Sequence, residues 1–482
     1  MIHKGLKILK LPNMQVAVVM LLAIAMVIYN VEGLSVGRDE GVHAFAAKTL
    51  AFEGVYGLKN GTDFLAFDRR IAVGPTIIVP VAILFKLFGV SILTIRAIPG
   101  LYFILFIFCF YFLIKREFGQ KVAFLTSLLI LSSQWSFWRE VALFNPIYRT
   151  LTGESAGLFF LTLSLLLWRK KFISIFILGL AVLTKYQFVL AIPVFLFVQS
   201  IPLKKLNIYR LITLFVVSML PMLFWFGYQY LYLGHTQFIN EIISYKNFSN
   251  QTFNFSFLRI KQNIVDKWME LNPLALKIYF TLPAIIFGWF YIIKSELRKE
   301  PLKMFLIIFP TIWMFWYIFS RGYIRYEIPG LYFSLIFLSL FFVNSFKERS
   351  LRKDTPLFVF IFSLFILIIS FGFYINYRES KVVEDKNALN MANYIKDNTL
   401  SSAKILTSEL DYDVDLFLDY RVLYHTESGT RALADKDIYP EIPINIEYIL
   451  SKGNDLSFEK EISNSLWQQV YQEGDWYLYE KK

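Results

Sequence analysis

The sequence predicts a polytopic α-helical membrane protein of about eleven transmembrane helices, followed by a small soluble α/β domain. Three observations predict it. The 482 residues are 56% hydrophobic and 18% charged, with 50 phenylalanines, which is more apolar than a soluble domain of this size. Apolar runs approaching the roughly 20 residues needed to cross a hydrocarbon core recur as far as residue 376. Basic residues collect in alternate gaps between those runs, as they do in cytoplasmic loops. The net charge of +12 is therefore assigned to membrane topology, and no nucleic acid partner is expected.

The run 14–30 is the first span, and Lys4, Lys7 and Lys10 before it put the N-terminus in the cytoplasm. No small-residue cleavage site follows, so it reads as an uncleaved helix. Residues 31–94 form the first external loop. Within it, 73–90 is apolar, but Pro75 and Pro80 break it and Lys86 interrupts it. If 73–90 crossed the membrane, Lys115-Arg116, Arg169-Lys170-Lys171 and Lys204-Lys205 would all face outward, so it is expected to lie along the interface. Spans then follow at 95–114, 122–137 and 155–168, with 138–154 external. The short runs 172–184 and 187–200 form a hairpin whose tip, Lys185-Tyr186, is drawn into the membrane from outside. Span 209–233 leads to a polar, aromatic external loop at 234–272. Spans 273–293, 302–320, 331–346 and 356–376 complete the set, with a short external turn at 321–330.

The predicted division is thus a transmembrane domain, 1–376, and an extracytoplasmic α/β domain, 377–482. In the latter, 387–396 has the pattern of an amphipathic helix, and 404–407 and 421–424 have that of short strands. Asp411-Tyr412-Asp413-Val414-Asp415 starts like a calcium loop, but Leu416 and Val422 stand where Gly and a bidentate Glu belong. It reads as a solvated acidic turn. Cys109 is the only cysteine, so no disulfide can form within the chain. The four histidines lack zinc spacing, and Walker A, dinucleotide and Gly-x-Ser-x-Gly motifs are absent.

Charges gather on the predicted outer face. Asp39, Glu40 and His43 open the first external loop, and Asp68, Arg69 and Arg70 end its first part. Arg96 opens the second span, Arg139, Glu140, Arg149 and Glu154 lie in the second loop, and Lys185 tips the hairpin. Arg321, Tyr323, Arg325, Tyr326 and Glu327 occupy the late turn. Carboxylates beside several cations at one interface suit acid/base chemistry next to an anionic headgroup. Plainer roles are open to each. Asp39 and Glu40 can complement the N-terminus of a helix at 41–50, and Arg96, Arg139 and Lys185 can snorkel to the interface. A transporter or flippase for a lipid-linked or anionic solute is the rival function, but the related halves with broken helices that such proteins show are not evident.

Several short motifs in a fixed order resemble the GT-C glycosyltransferases that use lipid-phosphate sugars, among them the protein O-mannosyltransferases and the lipid A aminoarabinose transferase. The motifs are Gly37-Arg38-Asp39-Glu40-Gly41; Gly74-Pro75, followed by Leu87-Phe88-Gly89 and Arg96; Arg139 with Glu154; Leu183-Thr184-Lys185; and Arg325-Tyr326-x-x-Pro329. The chain departs from many bacterial members in having Val73-Gly74-Pro75 for Lys-Pro-Pro and Glu rather than Asp at position 154. The resemblance implies a multi-pass enzyme of the cell (inner or plasma) membrane. It would move a monosaccharide from a polyprenyl-phosphate donor to a glycan, lipid or protein acceptor on the outer face, inverting the anomeric centre. It implies Asp39 as the catalytic base, with Glu40 and Glu154 orienting the acceptor or tuning Asp39. Arg69, Arg70, Arg96, Arg139, Lys185, Arg321, Arg325 and Tyr326 form the pool that binds the donor phosphate. Neither a cofactor nor a metal is expected.

Overall fold

The computed structural model describes residues 12–33, 36–133, 147–201, 208–252, 275–294, 300–319 and 324–349, scattered positions between 366 and 377, and, towards the end, 386–400, 402–408, 412–418, 422–426, 446–452 and 466–482. Each apolar run predicted from 14–30 to 331–346 coincides with a helix. These are α1 (Pro12–Ile28), α4 (Ile92–Phe118), α5 (Gln120–Ser132), α6 (Glu154–Leu166), α7 (Lys171–Thr184), α8 (Ala191–Ser200), α9 (Ile208–Thr252), α10 (Ala275–Lys294), α11 (Pro301–Phe319) and α12 (Ile328–Arg349). Among the described residues three helices are long and apolar enough to cross a membrane, Ile92–Phe118, Ile208–Lys246 and Pro301–Phe319. Most of the predicted span 356–376 lies outside the described residues.

The polypeptide divides into two compact units. One comprises Met1–Asn30 and Pro99–Val382, the other Val31–Ile98 and Val383–Lys482. Residues predicted as the first external loop therefore group with the C-terminal part of the chain. In the first unit, α6 packs on α7, α7 on α9, and α12 on α5, α10 and α11. Its core is strongly aromatic, with Phe103, Phe106, Phe110, Trp313 and Phe333 fully buried. The predicted polar loop after residue 233 is in part helical. Gly234, at φ 74°, bends the backbone as an L side chain resists doing, and the helix then resumes to Thr252.

In the second unit, α2 (Arg38–Glu53) leads into the hairpin β1 (Gly57–Asn60) and β2 (Asp63–Ala66), then α3 (Pro75–Phe88). Sequence predicted that Pro80 would break α3, yet the helix runs through it. Pro75 occupies the first turn, where its missing N–H costs nothing, and Pro80 deletes a single backbone bond one turn later. Ile77, Ile78, Val81, Ala82 and Phe85 bury one face of α3, while Val79, Ile83, Leu87 and Phe88 leave an apolar stripe exposed on another.

The C-terminal residues form α13 (Asn387–Asn398), α14 (Tyr412–Phe417) and a five-stranded sheet of β3 (Lys404–Ser408), β4 (Val422–Thr426), β5 (Tyr448–Lys452), β6 (Trp467–Glu473) and β7 (Trp476–Lys481). The strand order is β4-β3-β5-β7-β6, parallel among β4, β3 and β5 and antiparallel beyond. Of the stretch read as a solvated acidic turn, Asp411 lies outside the described residues and the rest, from Tyr412, opens α14 instead. Val414, Leu416 and Phe417 are buried, and tertiary packing of these apolar residues outweighs the local turn preference of the aspartates.

Candidate active site

Two clusters of predicted site residues take shape, one in each unit. The first is built on α2. Gly37 is its N-cap, and the Gly41 amide closes the first turn onto the Gly37 carbonyl at 2.8 Å. Asp39 and Glu40 thus fall in that turn, where the helix dipole favours negative charge. The two carboxylates then part company. Asp39 is exposed, whereas Glu40 is 1% exposed and gripped by Arg96, itself 1% exposed. Arg96 donates from Nη2 to Glu40 Oε2 at 3.1 Å and from Nε to Oε1 at 3.3 Å, and its Nη1 reaches the Val31 carbonyl at 2.7 Å. Both carboxylate oxygens and three guanidinium donors are occupied, which makes the pair a clamp.

One turn after Asp39, the buried His43 accepts the Ala72 amide on Nε2 at 3.2 Å, tying α2 to the segment before α3. Tyr56 secures the same segment by donating to the Val73 carbonyl at 3.0 Å. Arg70 is held by Asp68 through bonds of 2.8 and 3.0 Å, and Arg69 is half-buried beside it. Of the predicted phosphate-binding pool, Arg70 and Arg96 therefore each have a carboxylate partner within the protein.

The second cluster forms where α7 ends. Lys185 adopts extended backbone angles (φ −154°, ψ 117°) between α7 and a 3-10 turn, Tyr186–Leu190. Its buried ammonium donates to Glu154 and, at 3.0 Å, to the Thr152 carbonyl, and lies 4.8 Å from the centre of the Tyr326 ring. Glu154 is the first residue of α6 and is 1% exposed. Gly157, three residues further on, explains the close approach. A Cβ there would sit 2.1 Å from the Phe188 ring, so any other residue would push the 3-10 turn away from α6. Tyr326 belongs to a second 3-10 turn, Ile324–Glu327, which is pinned by the Trp313 indole donating to the Tyr326 carbonyl at 2.6 Å. Arg139 and Arg321 lie outside the described residues, as does the side chain of Arg325.

Tyr245, which sequence reading did not place in the site, borders this second cluster. Tyr186 meets Tyr245 edge-on at 5.5 Å, which brings the helix after Gly234 to the Lys185 break. Arg149, 1% exposed, donates to the Tyr29 carbonyl and lies 5.5 Å from the Tyr148 ring. Its charge in a predicted loop was the available signal; Tyr245 gave none, because an aromatic in a polar stretch has no mark of its own. Among the described residues no three His, Cys, Asp or Glu side chains assemble as metal ligands.

Solved structures of two GT-C glycosyltransferases share this fold. ArnT, the lipid A aminoarabinose transferase, from Cupriavidus metallidurans, in complex with undecaprenyl phosphate, superposes with a TM-score of 0.65 at 14% identity, covering 97% of each chain. Its apo form gives 0.63 at 12% identity over 99% of this chain and 98% of that one. The oligosaccharyltransferase of Archaeoglobus fulgidus, in complex with Zn and sulfate, gives 0.56 at 11% identity over 91% of this chain and 68% of that one. No protein-family model matches the sequence, and no curated protein does.

Proposed function

We propose that this chain is a membrane glycosyltransferase that moves a monosaccharide from a polyprenyl-phosphate donor to a hydroxyl-bearing glycan, lipid or protein on the outer face of the membrane. The observation that carries the reading is the split between Asp39 and Glu40. Two adjacent carboxylates share a helix turn, one locked to an arginine and the other presented to solvent. Asp39 takes the proton from the acceptor hydroxyl as its oxygen attacks the anomeric carbon. The bond from that carbon to the phosphate oxygen breaks, polyprenyl phosphate leaves, and a single displacement inverts the centre. Glu40 acts by holding Asp39 in place through Arg96.

The leaving phosphate gains negative charge as the bond breaks, so cations beside it stabilise the transition state more than the ground state. Lys185 heads this group, with Arg69, Arg139, Arg321 and Arg325 as further members and Tyr326 as its aromatic floor. Arg70 and Arg96 serve the scaffold. The exposed stripe of α3 rests in the bilayer interface, consistent with eleven spans and an external C-terminal domain.

The test is transfer from a radiolabelled polyprenyl-phosphate sugar by the full-length protein in vesicles. Asp39→Asn is expected to lower kcat by roughly 100-fold or more, the usual span of a lost general base. Near wild-type turnover by this variant would remove Asp39 from the role, and a wild-type protein that leaves every such donor unconsumed would overturn the transferase reading.

A further inference from the structure

The helix that carries Asp39 is enclosed by parts of the chain far apart in sequence. From Glu40 to Thr49 every residue of α2 is buried except Lys48, which is half-buried. Three elements make the enclosure: β1 and α3, which follow directly, and α14, from the C-terminal part of the chain. Lys48 marks the last of these contacts. Its ammonium donates to the Leu418 carbonyl, 370 positions later and just past the end of α14. Carbonyls at a helix end lack an amide of their own helix, and a lysine is a natural partner for them. Leu418 is 1% exposed, so water has little access to compete for this bond.

Lys48 follows Asp39 by nine residues, about two and a half helical turns, which puts the two on opposite sides of α2. The bond to Leu418 therefore lies on the side of the helix away from Asp39, whose own side chain is exposed. We infer that the C-terminal domain is part of the catalytic scaffold, and that Lys48 is a positioning residue that fixes Asp39 through α2. This rests on Asp39 being the base. A general base must come within hydrogen-bond reach of the hydroxyl it deprotonates, and an error of 1 Å can cost about 100-fold in rate.

The test uses full-length protein in vesicles, comparing Lys48→Met, Lys48→Gln and Lys48→Arg with Asp39→Asn. Methionine and glutamine are expected to lower kcat about ten-fold or more while leaving the donor KM unchanged, and arginine, which keeps the charge and the donors, to restore most of the rate. Amide hydrogen exchange should show α2 losing protection in the methionine and glutamine variants. Glutamine gives the same reading if methionine impairs folding. Wild-type kcat in both neutral variants, beside an inactive Asp39→Asn, would overturn the inference and leave the proposed base intact. A fall in kcat with α2 protection unchanged would overturn it as well. An active Asp39→Asn would defeat the base assignment and the positioning role together.

Discussion

Glu40–Arg96 and Glu154–Lys185 are both buried carboxylate–cation pairs near predicted chemistry, yet they are built for different work. Arg96 meets both oxygens of Glu40 with two donors and spends a third on the Val31 carbonyl. A planar fork in that geometry has one good arrangement. Lys185 is a point charge at a break in the backbone, shared among a carboxylate, a carbonyl and an aromatic face. None of those contacts demands a fixed orientation, and a phosphate oxygen can replace the carboxylate without loss of geometry. The first pair holds a helix still. The second holds an ammonium among exchangeable partners, which is what the proposed donor-phosphate role requires of it.

That contrast can be broken or sharpened by substitution. The largest effect is expected at the clamp. Arg96→Met leaves the Glu40 carboxylate buried without its partner, at a cost of about 3–5 kcal/mol. Thermal denaturation in detergent should show it plainly, and a wild-type melting curve would mean that Glu40 and Arg96 do not hold α2. A smaller effect is expected from Gly157→Ala, whose Cβ must displace the buried Phe188 ring, for about 1–3 kcal/mol. This variant should also weaken donor binding, because the 3-10 turn after Lys185 moves with Phe188; unchanged stability and KM would mean that the turn adapts without that packing. The smallest effect separates the two pairs directly. Glu154→Gln removes the charge that competes with phosphate for Lys185, and the donor KM should fall about three-fold, under 1 kcal/mol. Glu40→Gln should leave the donor KM where it was. A rise in KM for Glu154→Gln would make the second pair as static as the first.

Much of the helical framework was legible because it depends on local composition. Apolar runs placed the helices from 14–30 to 331–346, with the run 73–90 becoming α3. The break at Lys185 showed as two runs each short for a span. Misreadings arose where the local signal was overruled. Pro80 lies inside α3, where the buried face around it outweighs one lost backbone bond, and Asp413 and Asp415 were carried into α14 by the buried Val414, Leu416 and Phe417. The continuation of α9 past Gly234 went unseen because a polar, aromatic helix carries no apolar run to announce it.

The sequence by itself determined which residues form most of the helices, that Asp39 and Glu40 would stand at the N-terminal end of one, and that charge would gather at a few breaks. Those features follow from neighbours along the chain. Tertiary structure alone decided the pairing: Glu40 with Arg96, 56 positions apart, Glu154 with Lys185, 31 apart, and Lys48 with a carbonyl 370 positions away. An ion's role depends on the nearest opposite charge and on access to water, and both are set by how helices pack. Gly157 against Phe188 shows the scale of that control, since a single methyl group there would separate the elements that bring Glu154 to Lys185.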